Sequence, residues 1–153
     1  MSRRRASLLD VNVLVALFDA DHVHHDLAHD WFADARSKGW ATCPITENGA
    51  IRVLANPKYG SSLSDVPALL DLLNRFRASG HHEFWDDSVS LADETLFARS
   101  FIQGHRQLTD VYLLGLATRK QGQLVTFDRS ISPRAVLGAT AQSLVVIGSP
   151  DRD

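Results

Sequence analysis

Ser7-Leu8-Leu9-Asp10-Val11-Asn12-Val13-Leu14-Val15 is the stretch on which the fold turns. An apolar run leads into a carboxylate, a polar residue follows two positions later, and a second apolar run begins. Ala6–Leu9 is too short for a helix and too rich in Leu for a loop, so it reads as a buried strand. Asp10 stands where that strand ends, and Asn12 opens the next element. In open parallel sheets, chemistry collects outside the carboxyl ends of strands, where the strand order reverses. Asp10 is therefore a candidate anchor for a site.

Working outward, Val13–Phe18 predicts a short first helix. Leu27, Ala28, Trp31, Phe32 and Ala35 repeat at helical spacing within His22 to Ser37. Trp40–Cys43 reads as a second buried strand stopped by Pro44. Thr46 is placed to cap a helix carrying Ala50, Ile51, Val53 and Leu54, which ends before Asn56-Pro57. A Gly/Ser-rich loop over Lys58 to Ser64 follows. Ser64 or Asp65 caps a helix with Pro67 in its first turn, running through Leu69, Leu72, Leu73 and Phe76. Glu83-Phe84-Trp85 is expected as a third strand, Ser90–Gln103 as a helix, and Val111–Lys120 as another. Leu124–Phe127, ending on Asp128, and Ser143–Ile147 complete the strands. Strands separated by helices predict an α/β domain: a five-stranded, mainly parallel sheet with helices on both faces. Residues 1–153 are read as one domain with its core over about 6–148.

Composition narrows the function. The 153 residues carry a net charge of −2, so a polyanionic substrate would have to be held by local features. One cysteine, Cys43, excludes an internal disulfide and suits a reducing compartment. No apolar run approaches the roughly 18–20 residues of a membrane span. The basic Met1-Ser2-Arg3-Arg4-Arg5 start is followed by apolar sequence broken at Asp10 and Asn12, which does not read as a secretory signal. The expectation is a cytoplasmic protein.

Four acids share matching positions. Asp10 and Asp128 end strands, and Glu47 and Asp110 lie in the first turns of helices, where backbone amides favour the ionised form. One acid of this kind is commonly a cap or a solvated charge. Four on one rim are costly, because two charges ~4 Å apart repel by about 4 kcal/mol at an effective dielectric of ~20. Such a crevice must take up protons or a cation, and carboxylates alone suit Mg²⁺ or Mn²⁺. That chemistry points to metal-assisted phosphodiester hydrolysis.

The order Leu8-Leu9-Asp10-Val11-Asn12-Val13-Leu14, Thr46-Glu47-Asn48-Gly49 with Arg52-Val53-Leu54, Leu108-Thr109-Asp110, and Val125-Thr126-Phe127-Asp128 resembles a PIN-domain nuclease. Within that group it is similar to the VapC-type toxins of bacterial toxin–antitoxin modules, from about Leu8 to Ile147. The resemblance implies a five-stranded parallel sheet, an Mg²⁺ or Mn²⁺ site and endoribonuclease activity. It assigns catalysis and metal binding to Asp10, Glu47, Asp110 and Asp128, with Asn12 and Thr126 in support. It also implies attack by activated water on RNA leaving a 5′ phosphate, a homodimer, and a VapB-type antitoxin that covers the site. Many relatives carry a further acid two residues after the last aspartate, where this chain has Ser130.

Arg52, more than a turn beyond Glu47, is a candidate to touch substrate or to pair with an acid. His25 and His29 have the spacing of a metal pair but lack partners in sequence, so they read as solvated or packing residues. The apolar Leu69–Phe76 stretch, extended by Trp31 and Phe32, is a candidate dimer or antitoxin surface. Two other functions compete with a nuclease. A phosphorylated receiver domain needs adjacent acids after strand one and a late lysine, and Lys38, Lys58 and Lys120 are misplaced for it. A PIN-like module that binds RNA or protein without catalysis remains the alternative.

Overall fold

The computed structural model describes residues 5–148. Strand β1 (Ser7–Leu9) is wholly buried and passes through Asp10 into helix α1 (Val11–Phe18). Helix α2 (His25–Ala35) and a single 3₁₀ turn lead to strand β2 (Trp40–Thr42). Helices α3 (Pro44–Ala55) and α4 (Val66–Arg77) follow, then strand β3 (His82–Phe84). A long irregular segment precedes helix α5 (Leu108–Arg119), and strands β4 (Gln123–Thr126) and β5 (Leu144–Val146) close the sheet.

All four strand pairings are parallel, in the order β3-β2-β1-β4-β5. The five-stranded parallel sheet read from the sequence is present. β1 and β4 are neighbours, with Leu9 opposite Val125. The chain leaves β1 toward β2 on one side and returns in β4 on the other, so the strand order reverses between them. That reversal opens a crevice at the ends that carry Asp10 and Asp128.

Alternation along the strands divides the core. Leu8, Ala41 and Leu124 face α5, whose Leu113, Leu114, Leu116 and Ala117 are fully buried. Leu9, Trp40 and Val125 face the other way, against α1, α2, α3 and α4 through Val13, Phe32, Leu54 and Leu69. Gly115 lets the Phe97 ring lie on α5, since a Cβ there would overlap the ring.

Several expectations shift. Ser90–Gln103 forms no α-helix. Ser90 Oγ accepts from the Ala92 amide, and Asp93 Oδ1 accepts from both the amide and the hydroxyl of Thr95. Such short-range bonds offer the backbone an alternative to the helix ladder. The segment instead pairs with 135–137, where Leu137 N donates to Leu96 O and Ala98 N to Ala135 O. Thr46 does not cap α3. Cys43 holds that position with Pro44 in the first turn, and Thr46 Oγ1 reaches back to accept from Cys43 N at 3.0 Å. Asp10 itself caps α1, so that helix begins at Val11 rather than Val13. β3 begins one residue earlier than expected, and Trp85 is buried just past its end.

Candidate active site

Asp10 is 4% exposed, pinned between the end of β1 and the start of α1. Its Oδ1 accepts from Val11 N at 2.7 Å and its Oδ2 from the Thr126 hydroxyl at 2.8 Å. The fully buried Thr126 hydroxyl also accepts from Asn12 Nδ2 at 3.3 Å and from Asp128 N at 3.0 Å. Asn12 Oδ1 in turn accepts from Phe127 N at 3.4 Å. One hydroxyl on β4 thus ties together the carboxylate of β1, the amide of α1 and the loop that carries Asp128. Burial raises the Asp10 pKa; the bonds from Thr126 and Val11 oppose that rise, and Asp128 adds to it.

Asp128 is fixed from below by that loop. Ser130 donates to Asp128 Oδ1 twice, from its amide at 2.8 Å and its hydroxyl at 2.7 Å. These bonds, amide first, hold Asp128 below the usual carboxylate range. Asp110, in the first turn of α5, faces both other acids. Burial, the Asp10 charge and a hydrogen bond to Asp128 push its carboxyl up to about 7. The same contact raises Asp110 and lowers Asp128, so of the two carboxyls Asp110 keeps its proton to the higher pH. The helix N-terminus, expected to keep Asp110 charged, is outweighed by burial and by two neighbouring acids.

Glu47 is engaged by other partners. Its Oε2 accepts from the Thr42 hydroxyl at 2.6 Å and lies 3.3 Å from Arg77 Nη1. His82 Nε2 meets the same Thr42 hydroxyl at 2.7 Å. With Thr42 donating to Glu47, His82 must donate to Thr42, which fixes its neutral tautomer. Burial first, then the charge of Arg77, lowers the His82 pKa to about 4. Arg77 is steadied over the Phe84 ring at 5.0 Å.

An oxygen-only trio, one member retaining a proton near neutral pH, is a donor set suited to a hard divalent cation. Among the described residues no three such donors already surround a common point. A divalent ion held by Asp10, Asp110 and Asp128 would take the place of the Asp110 proton.

The sequence model of the PIN domain matches residues 7–136. The chain belongs to the PIN domain family. Curated relatives agree with that placement. Ribonuclease VapC44 of Mycobacterium tuberculosis (strain ATCC 25618 / H37Rv) is 47% identical over 141 residues, covering 92% of this chain and 99% of its own. Ribonuclease VapC38 of the same strain is 45% identical over 82% of this chain and 86% of its own. Ribonuclease VapC39 of that strain is 41% identical over 86% and 95%. Among solved structures, VapBC2 from Rickettsia felis bound to a DNA fragment from their promoter matches with a TM-score of 0.52 and 16% identity. The match covers 80% of this chain and 88% of that one, and it supports the fold.

In this PIN domain Asn12 and Thr126, expected in support, hold Asp10, while the partners of Asp128 and Glu47 were not expected from the sequence. Ser130, noted there as a missing acid, is the clamp on Asp128; the Asp-x-Ser spacing of an Asx turn is its signal. Arg77, Thr42 and His82 carry no local signal, since their meeting depends on β2 and β3 pairing. The histidines near α2 serve α1. His25 Nδ1 lies 2.7 Å from Ala16 O and His29 Nε2 3.1 Å from Leu17 O, at carbonyls of its last turn. Leu69 and Leu73 are buried, while Leu70 and Val66 remain exposed on α4. A cleft of about 420 Å³ between α2 and α4 is lined by Phe32, Arg36, Arg75 and Phe76. Arg52 is exposed and makes no ion pair among the described residues. Arg3 and Arg4 lie outside those residues, and no described helix is long and apolar enough to cross a membrane.

Proposed function

We infer that this PIN domain, read as one domain over residues 1–153, is an Mg²⁺- or Mn²⁺-dependent endoribonuclease and the toxin of a toxin–antitoxin pair. The observation that carries this reading is the meeting of Asp10, Asp110 and Asp128 where β1, α5 and β4 come together. Identity above 40% to named VapC ribonucleases across most of the chain supports the choice of RNA.

Asp10, Asp110 and Asp128 are the residues that would hold the ion, with Glu47 able to join them on leaving Arg77. A bound divalent cation supplies neutralisation of phosphate charge and a lowered pKa for water at the scissile phosphate. Thr126 and Asn12 keep Asp10 oriented, and Ser130 does the same for Asp128. Asp110 would have to be ionised to hold the ion, so affinity would rise with pH until that carboxyl is ionised. On this reading RNA would be cut by water attacking the phosphorus in line with the departing 3′ oxygen, leaving a 5′ phosphate and a 3′ hydroxyl. A VapB-type antitoxin and a second copy of this chain are the expected partners, in the cytoplasm.

The test joins Mn²⁺ calorimetry to RNA cleavage. Wild type should bind the ion and cut RNA, and Asp10→Asn should abolish cutting and weaken binding. Absence of binding, or binding indifferent to Asp10→Asn, refutes the nuclease reading. Expression of the chain alone should slow bacterial growth.

A further inference from the structure

A second cavity, of about 450 Å³, opens beside the acids on the side of α3. Three of its lining residues are chain neighbours of acids: Val11 follows Asp10, Asn48 follows Glu47, and Thr109 precedes Asp110. The cavity therefore borders the first turns of α1, α3 and α5, the segments that carry Asp10, Glu47 and Asp110, without being lined by an acid. Its volume falls within the roughly 300–1,000 Å³ of small-ligand sites.

The lining is mixed in a particular way. Val11, Pro44 and Ile45 are apolar and rigid, suited to the flat face of a ring. Gly49 is needed to bring α3 this close to α1, since a Cβ there would stand 2.7 Å from Val11 Cγ2. Asn48 and Arg52 are four residues apart on α3, so they lie on one face of the helix, one turn from each other. Neither side chain is engaged by a hydrogen bond or ion pair among the described residues, unlike Arg77 and Glu47 nearby. An amide offers a donor and an acceptor to the edge of a base, and an unpaired guanidinium is a fork for a phosphate. Sequence-specific reading of RNA works on unstacked single-stranded bases through these contacts.

We propose that this cavity receives the base adjoining the scissile phosphate of a single-stranded RNA, with Asn48 reading its edge and Arg52 holding the flanking phosphate. The proposal rests on the nuclease reading above and adds which residues set the cleavage preference. Acids turn the metal chemistry, while α3 selects the sequence.

The test measures binding and cutting separately. Binding of fluorescein-labelled single-stranded RNA of randomised sequence is followed in the uncleavable Asp10→Asn background, with Asn48→Ala or Arg52→Gln added. Each should weaken binding by about 10-fold, the effect of losing about 1.4 kcal/mol. Arg52→Gln should act on all sequences alike and lower the salt slope by about 1, as expected for a lost phosphate contact. In the otherwise wild-type chain, sequenced cleavage ends should lose their preference at one flanking position in Asn48→Ala, and KM should rise more than kcat falls. Unchanged preference and unchanged KM in folded variants of an active enzyme overturn the proposal and leave the nuclease reading standing. A wild-type chain that neither binds nor cuts RNA removes both.

Discussion

Asp110→Asn should make the metal-free protein more stable at pH 8 and leave it nearly unchanged at pH 4. Asp110 titrates near 7 when folded and near 3.8 when unfolded. Between those values the folded chain carries one proton more than the unfolded one, so stability falls as pH rises from 3.8 to about 7 and levels off above it. In full, such a shift amounts to about 4 kcal/mol. Asp110 is only half-buried, and solvent screening reduces the figure to about 1–2 kcal/mol. An Asn amide at this position donates to Asp128 as the protonated carboxyl does, so the variant keeps the low-pH arrangement at every pH. The gain at pH 8 corresponds to a rise of about 2–8 °C in Tm for a chain of this size. Thermal melts of both proteins in chelator across pH 4 to 8 measure it. Other carboxylates titrate in both proteins and cancel in the difference. A variant less stable at pH 8, or a gap that does not change with pH, would show that the three acids do not share a crevice.

Thr126→Val keeps the shape of a fully buried residue but leaves Asp10, Asn12 and the Asp128 amide without their shared partner. It should cost roughly 2–3 kcal/mol in a denaturant titration, as for a lost buried bond to a charged group, and Thr126→Ser should recover part. Gly115→Ala drives a methyl into the Phe97 ring and should cost about 1–3 kcal/mol by the same measurement, without changing Mn²⁺ affinity at saturating stability. In wild type, Mn²⁺ affinity measured calorimetrically should rise from pH 6 to pH 8 with release of a proton; Asp110→Asn, which also removes a ligand, should bind more weakly and with a smaller pH dependence.

The positions of the acids could be read from the sequence because each is tied to the end of an element. Asp10 follows the apolar Leu8-Leu9 of β1, Asp128 follows β4, and Asp110 lies in the first turn of the strongly apolar α5. Placing them together needed only the parallel pairing of β1 with β4. What lay beyond reach was the state of each acid, which is set by contacts between distant segments. Asp110 is pushed up to about 7 by burial first and then by Asp10 and Asp128, and Glu47 is held by Arg77 from α4 and Thr42 from β2. The Ser90–Gln103 segment shows the same limit in the fold. Leu91, Thr95, Ala98 and Ile102 keep helical spacing, yet Asx- and Ser-turn bonds and the pairing of Leu96 and Ala98 with 135–137 win. Phe97 then goes into the core over Gly115. The residues that obtain burial are Leu96 and Phe97, placed by the contact with 135–137 and by the notch at Gly115, while Leu91 and Thr95 stay exposed. The same reasoning applies to Glu47: its place on α3 follows from the sequence, and its direction follows from Arg77 and Thr42, which only the fold brings to it.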